Sequence, residues 1–305
     1  MTGVPRDDAA LDIRDLRIEL ATSDGPRSMV DGLDLRVGRG RIHGLAGESG
    51  SGKTITALAV LGLLPGSMRL AGSIVLGAPV AGGEPVELVG ASARVLRGVR
   101  GRRVAMVFQD PSTSLHPQLA VGRQLTDHVR HHLGLREAEA RTRAVALLDR
   151  VHVPDPESAL RKYPHQFSGG QRQRIAIAVA LACGPDVLLA DEPTTALDVT
   201  VQAGVLHLLR ELVDDMGLSV LLVTHDLGVM SAVADEVTVM RAGGVVESGP
   251  RHQLFTAPGH EYTRSLLAAL PGSTFEEDPA HLAAGLVAGH EPPDAPVAPQ
   301  EDNDG

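Results

Sequence analysis

The sequence predicts an α/β fold: a mainly parallel sheet covered by helices, with a helical insertion. Three observations carry this. Four short apolar runs, at residues 104–108, 187–190, 219–223 and 236–240, alternate with helical patterns. A glycine-rich turn lies between an apolar run at 41–46 and a helical pattern at 53–64. Between Leu115 and Ala182 there is no convincing strand, while 118–132 and 137–151 read as helices.

In chain order, residues 11–20 and 33–37 alternate apolar with charged side chains, as half-buried strands do. Residues 41–46 form a buried strand. The helix from Lys53 should stop at Pro65-Gly66. Residues 72–76 are a further strand, and another helix should begin near Ser168. Residues 1–270 are taken as one domain with a helical subdomain at about 112–182, and 271–305 as a tail. That tail has 8 acidic residues, no Lys or Arg, and 6 of the 20 prolines, so disorder is expected. The chain carries 28 basic and 38 acidic residues, a net charge of −10, which argues against a general nucleic-acid binder. The single cysteine, Cys183, excludes an intramolecular disulfide and a cysteine-rich metal site, and suits a reducing compartment. No run approaches the roughly 18 apolar residues of a membrane span. Residues 1–11 lack a signal-peptide pattern, so a soluble, intracellular protein is expected.

Gly47-Glu48-Ser49-Gly50-Ser51-Gly52-Lys53-Thr54 fits the phosphate-loop pattern G-x-x-x-x-G-K-[ST], between a strand and a helix. Glycines let the backbone wrap so that its N–H groups converge on phosphate, and the helix N-terminus adds partial positive charge. Lys53, one of only two lysines, would reach the β- and γ-phosphates, and the Thr54 hydroxyl would ligate Mg²⁺. The apolar run 187–190 ends in Asp191-Glu192. Asp191 would hold Mg²⁺ and Glu192 would polarise the attacking water.

Ser168-Gly169-Gly170-Gln171, after Phe167, resembles the signature of ATP-binding cassette (ABC) ATPases, a second phosphate cradle at a helix N-cap. Further motifs follow in that family's order: Gln109 as the Q-loop, Ala196-Leu197-Asp198 as the D-loop and His225 as the switch histidine. The segments 109–117, 163–167, 198–203, 224–229 and 260–267 narrow the resemblance to importer ATPases for oligopeptides, dipeptides and nickel.

The resemblance implies a P-loop NTPase core with an N-terminal antiparallel β subdomain and an inserted α-helical subdomain. It implies ATP and Mg²⁺ as ligands, with Thr54, Asp191 and Gln109 near the metal. It also implies a head-to-tail dimer with a second cassette, the same or related, in which Ser168 and Gly170 face the partner's ATP and Asp198 links the two sites. Glu192 would be the base, with Gln109 and His225 orienting γ-phosphate and water. Partners would be two transmembrane permeases, docked near Leu115–Pro117, and indirectly an extracytoplasmic substrate-binding protein, with no nucleic acid. The place would be the cytoplasmic face of the cell membrane. The alternative is a soluble ABC ATPase of DNA repair or translation, but those types carry long insertions or two cassettes.

The sequence departs from relatives in three ways, one of them His260-Glu261 where His-Pro is common, which bears only on local turn geometry. No aromatic residue precedes Phe108, so none can stack on adenine from upstream of the phosphate loop; Ser28 or Arg27 would stand there instead. Weaker or less base-selective nucleotide binding is expected. No cysteine follows residue 270, so no iron–sulfur cluster is expected. Three other features have plain readings. His128, His131 and His132 make a solvated helix face, Arg94, Arg97, Arg100, Arg102 and Arg103 a solvated or permease-facing surface, and Cys183 a buried hydrophobe.

Overall fold

A computed structural model describes residues 8–79, 82–110, 114–195 and 197–270. The expected tail, Ala196 and residues 111–113 lie outside these. Two sheets organise the chain. Strands β1 (Ala9–Thr22), β2 (Gly25–Gly38), β4 (Met68–Leu76) and β5 (Val86–Glu87) form an antiparallel sheet in the order β2-β1-β4-β5. The alternation at 11–20 is the middle of β1 and that at 33–37 the C-terminal part of β2, two longer paired strands.

The second sheet has the order β10-β9-β3-β8-β7-β6. Its strands are β3 (Ile42–Gly47), β6 (Val104–Val107), β7 (Val187–Asp191), β8 (Ser219–Thr224), β9 (Glu236–Arg241) and β10 (Gly244–Pro250). All neighbours are parallel except β9 and β10. Alternation divides two cores across this sheet. Leu188, Ala190, Val220 and Leu222 point into one core and Val187, Leu189, Leu221 and Val223 into the other. The second core is closed by the antiparallel sheet through Leu11, Ile13, Leu16 and Ile74. The first is closed by helices, including α3 (Val121–Leu133), α4 (Glu137–Arg150) and α6 (Gly169–Leu181). These come from the strand-free stretch, with a short α5 (Pro156–Ala159) among them.

Helix ends differ from expectation for identifiable reasons. The helix from Lys53, α1 (Lys53–Val60), stops well before Pro65. Gly62 adopts φ +61, its N–H donates to Ala59 O, and Leu63 N–H donates to Leu58 O. That paired closure ends a helix at a left-handed glycine. Helix α3 begins at Val121 rather than 118 because segment 160–162 receives its first N–H groups: Val121 donates to Lys162 O and Gly122 to Leu160 O.

Two side-chain readings need correction. His128 and His132 are half-buried and meet edge-to-face, 5.0 Å between ring centres. Burial pushes both imidazoles below their usual pKa, and only His131 fits a solvated face. In the arginine cluster, Arg94, Arg97 and Arg102 are exposed, but two members are structural. Arg100, which follows α2 (Ala93–Val99), donates to Leu61 O and Gly62 O, and Arg103 pairs with Asp186 at 2.8 Å. Cys183 is buried, as expected, and burial raises its thiol pKa.

Candidate functional site

The strands β3, β8, β7 and β6 are adjacent and parallel, so their C-terminal ends share one edge of the sheet. Residues there converge without help from distant loops, where open α/β sheets place ligands. Gly47 and the loop up to Thr54 leave β3; Gln109 follows β6; Asp191 and Glu192 end β7; His225 follows β8.

The loop is wrapped tightly. Gly47 has φ +145, and a Cβ there would lie 2.2 Å from the Met240 carbonyl oxygen. No other residue fits. Lys53 is 5% exposed and folds over the loop, donating to Gly47 O at 2.7 Å and Glu48 O at 2.8 Å. Burial lowers its ammonium pKa, against the opposing pull of Glu192, Asp191 and Glu48. A buried lysine at a helix N-terminus is a site for an anion.

Thr54 Oγ1 donates to Asp191 Oδ1 at 3.1 Å. Asp191 is 5% exposed, and burial raises its carboxyl pKa despite that hydrogen bond. A desolvated carboxylate beside a hydroxyl fits Mg²⁺, which takes few protein oxygens and completes its shell with phosphate and water. Among the described residues no group of three His, Cys, Asp or Glu could hold a metal without a ligand's help.

Glu192 is the hub. It sits at φ +46, uncommon for a residue with a side chain, and its N–H continues the ladder to Val223 O at 2.8 Å. Its carboxylate meets His225 Nδ1 at 2.8 Å through Oε1. Oε2 accepts from Gln109 Nε2 at 2.9 Å and Thr195 Oγ1 at 3.0 Å. Burial alone would raise its pKa, but the bonds from His225 and Thr195, with the charges of His225 and Lys53, outweigh it and hold Glu192 below the usual range. Two adjacent carboxylates are thus pushed apart, Asp191 up and Glu192 down.

The remaining candidates form a second cluster. Ser168 caps α6, accepting from Gln171 N–H at 3.3 Å, while Gln171 Oε1 accepts from Ser168 N–H at 3.1 Å. Asp198 caps α7 (Val199–Met216), accepting from Val201 N–H at 2.9 Å. The two helix starts touch. A Cβ on Gly170 would lie 2.4 Å from Val201 Cγ1, so packing demands that glycine independently of any phosphate, whereas Gly169 has room. Among the described residues no hydrogen bond or ion pair joins 168–171 or Asp198 to the Lys53–Glu192 cluster. Arg27 and Ser28 lie exposed on β2.

Two contacts were not anticipated from sequence. Thr195 is one; the signal in sequence is a hydroxyl three residues after Glu192, in the turn that Thr195 N–H closes onto Glu192 O. Tyr262, remote in sequence, accepts from Glu48 N–H at 3.3 Å; its place in the segment 260–267 and its scarcity as one of two tyrosines are the signals that single it out, but neither points to the loop.

The ABC transporter family profile matches residues 30–195. The oligopeptide transport ATP-binding protein AppD of Bacillus subtilis is 43% identical over 279 residues, 91% of this chain and 83% of that protein. The oligopeptide transport ATP-binding protein OppD of Salmonella typhimurium is 43% identical over 261 residues, 86% of this chain and 76% of that one. Among solved structures, cbiO1 of Clostridium perfringens, part of the ABC transporter complex cbiONQ, aligns with a TM-score of 0.66 at 28% identity. That alignment covers 87% of this chain and 96% of cbiO1.

Proposed function

This chain belongs to the ABC transporter ATPases, and on that premise we propose that it powers an importer for peptides, nickel or related small solutes. The observation that carries the chemistry is the Glu192 carboxylate, gripped from three strand ends beside the buried Lys53 and Asp191. Peptide specificity is supported by the relatives AppD and OppD, both named for oligopeptide transport.

The loop N–H groups and Lys53 hold the ATP phosphates, exchanging the Gly47 and Glu48 carbonyls for phosphate oxygens. Thr54 and Asp191, with Gln109 nearby, would hold Mg²⁺, which would supply positive charge to offset that of the phosphates. Glu192, held ionised, accepts a proton from water as the water oxygen attacks the γ-phosphorus. The bond to the bridging oxygen breaks, and ADP leaves with that electron pair. His225 fixes one carboxylate oxygen. Gln109, turning from Oε2 toward the nucleotide, frees the other for water.

The separation of the Ser168–Gln171 and Asp198 cluster from the Lys53 cluster supports a head-to-tail dimer with a second cassette, the same or related. In it each ATP faces Ser168 and Gly170 of the other subunit. Two permeases would dock on the helical subdomain near Leu115–Pro117, through the exposed His116 and Pro117 rather than Leu115, which is 2% exposed and belongs to the core, and through them the cassette would serve an extracytoplasmic binding protein. No described helix is long and apolar enough to cross a membrane, so attachment at the cytoplasmic face would come from those permeases. The soluble repair or translation class is disfavoured because the relatives are named for transport over most of the chain.

The test is steady-state hydrolysis with Mg²⁺, ATP and GTP supplied in turn. Turnover is expected, with a Kd weaker than the low-micromolar range and little preference between the two bases, since no aromatic residue precedes Phe108. No hydrolysis of either would contradict the ATPase reading. A several-fold preference for ATP at low-micromolar affinity would contradict the account of the base.

A further inference from the structure

The phosphate loop is held from a side that its own motif does not describe. The peptide unit between Gly47 and Glu48 is gripped at both ends. Its carbonyl, Gly47 O, accepts from Lys53 Nζ at 2.7 Å, and its N–H, on Glu48, donates to the Tyr262 hydroxyl at 3.3 Å. Tyr262 belongs to α8 (Glu261–Ala268), beyond the 30–195 span of the family match. Its ring is buried, and the Arg241 guanidinium lies over it, 4.8 Å from the centroid.

The helix is built to hold that hydroxyl still. The Glu247 carboxylate accepts from Gly259 N–H at 2.7 Å and His260 N–H at 3.1 Å. His260 Nδ1 accepts from Tyr262 N–H at 3.0 Å, capping the first turn. Leu267, 2% exposed, anchors the far end in the main core. Residues 259–267 are therefore fixed at entry, middle and exit, and the side chain between the anchors is aimed at the loop.

We propose that Tyr262 is a positioning residue of the phosphate loop: its hydroxyl orients the 47–48 peptide, and through that peptide's carbonyl sets where Lys53 rests. This rests on the reading of the loop as an ATP site. The hydroxyl touches no reacting atom; it acts through the backbone. An unheld Glu48 N–H lets the peptide rotate, so the loop that wraps the phosphates must be ordered when ATP binds, at a cost in affinity. Loss of the hydroxyl should weaken ATP binding more than it slows the bound state.

The test uses the full chain. Tyr262→Phe keeps the ring, its burial and the Arg241 contact and removes the hydrogen bond from Glu48 N–H, together with the hydroxyl's interaction with the Glu48 carboxylate. ATP affinity and KM are expected to worsen by about 3–10-fold, the range of a single net hydrogen bond. Turnover at saturating ATP should fall less than about 2-fold and the melting temperature should hold. Leu267→Ala serves as the comparison, because it loosens the helix without touching the hydroxyl. Wild-type affinity in Tyr262→Phe overturns the proposal. So does a loss of affinity that comes with the same drop in melting temperature as Leu267→Ala, since that marks general loosening. If the wild-type chain itself binds no ATP, the nucleotide reading fails and this proposal falls with it. If wild type and Tyr262→Phe bind ATP equally, only the role of Tyr262 fails.

Discussion

Glu192→Gln should lower ATP turnover by about 10²–10⁴-fold, the usual contribution of a positioned general base, while ATP still binds. The substitution keeps the size and the place of the side chain. An amide oxygen can still accept from His225 or Thr195, but an amide cannot take a proton from water at neutral pH. Lys53, Thr54 and Asp191 are untouched, so the nucleotide site remains. With hydrolysis blocked, the closed pair of cassettes should accumulate, seen as an ATP-dependent doubling of mass in sedimentation. Steady-state turnover equal to wild type would remove Glu192 from the role of base. Loss of ATP binding in this variant would mean that the Glu192 hub shapes the phosphate site instead.

Lys53→Ala should act one step earlier, on binding itself. The ammonium is 5% exposed and desolvated, and it faces Asp191 and Glu192 across the loop. Removing it takes away the charge-assisted contact to phosphate, worth about 10–100-fold in affinity. It also leaves the Gly47 and Glu48 carbonyls without their donor. Calorimetric titration with ATP should show this loss, and a circular dichroism spectrum like wild type would assign it to the site rather than to the fold. Unchanged ATP affinity would contradict the placement of Lys53 on the phosphates. The two variants separate the steps: Glu192→Gln binds and does not turn over, whereas Lys53→Ala scarcely binds.

The parts of this molecule that were legible in sequence are those in which chemistry and local structure coincide. A glycine-rich loop between a strand and a helix can be read because wrapping the backbone needs Gly47 and Gly52, and holding phosphate needs Lys53 and Thr54. Acids at the end of an apolar run could be placed at a sheet edge because the run is short and bounded. The parallel order followed from strands alternating with helices. Illegible features depend on what another segment does. The end of α1 is the local exception: the pattern points to Pro65-Gly66, yet Gly62 stops the helix first, because a left-handed closure needs only glycine and two carbonyls of the same helix. His128 and His132 were read as solvated, but burial depends on how α3 packs in the helical insertion. Gly170 was read as a phosphate cradle, and nothing near it in sequence shows Val201 against it. Tyr262 contacts a loop more than two hundred positions away, which no local pattern encodes.

If this ATPase is the motor of a membrane importer, its partners in the membrane should reveal it. Tagged protein would be recovered from detergent-solubilised membranes and what accompanies it identified by mass spectrometry. Two multi-span permeases, with or without a second cassette subunit, is the result predicted here. Recovery of soluble proteins or nucleic acid alone would leave the ATPase chemistry standing and contradict the transport role.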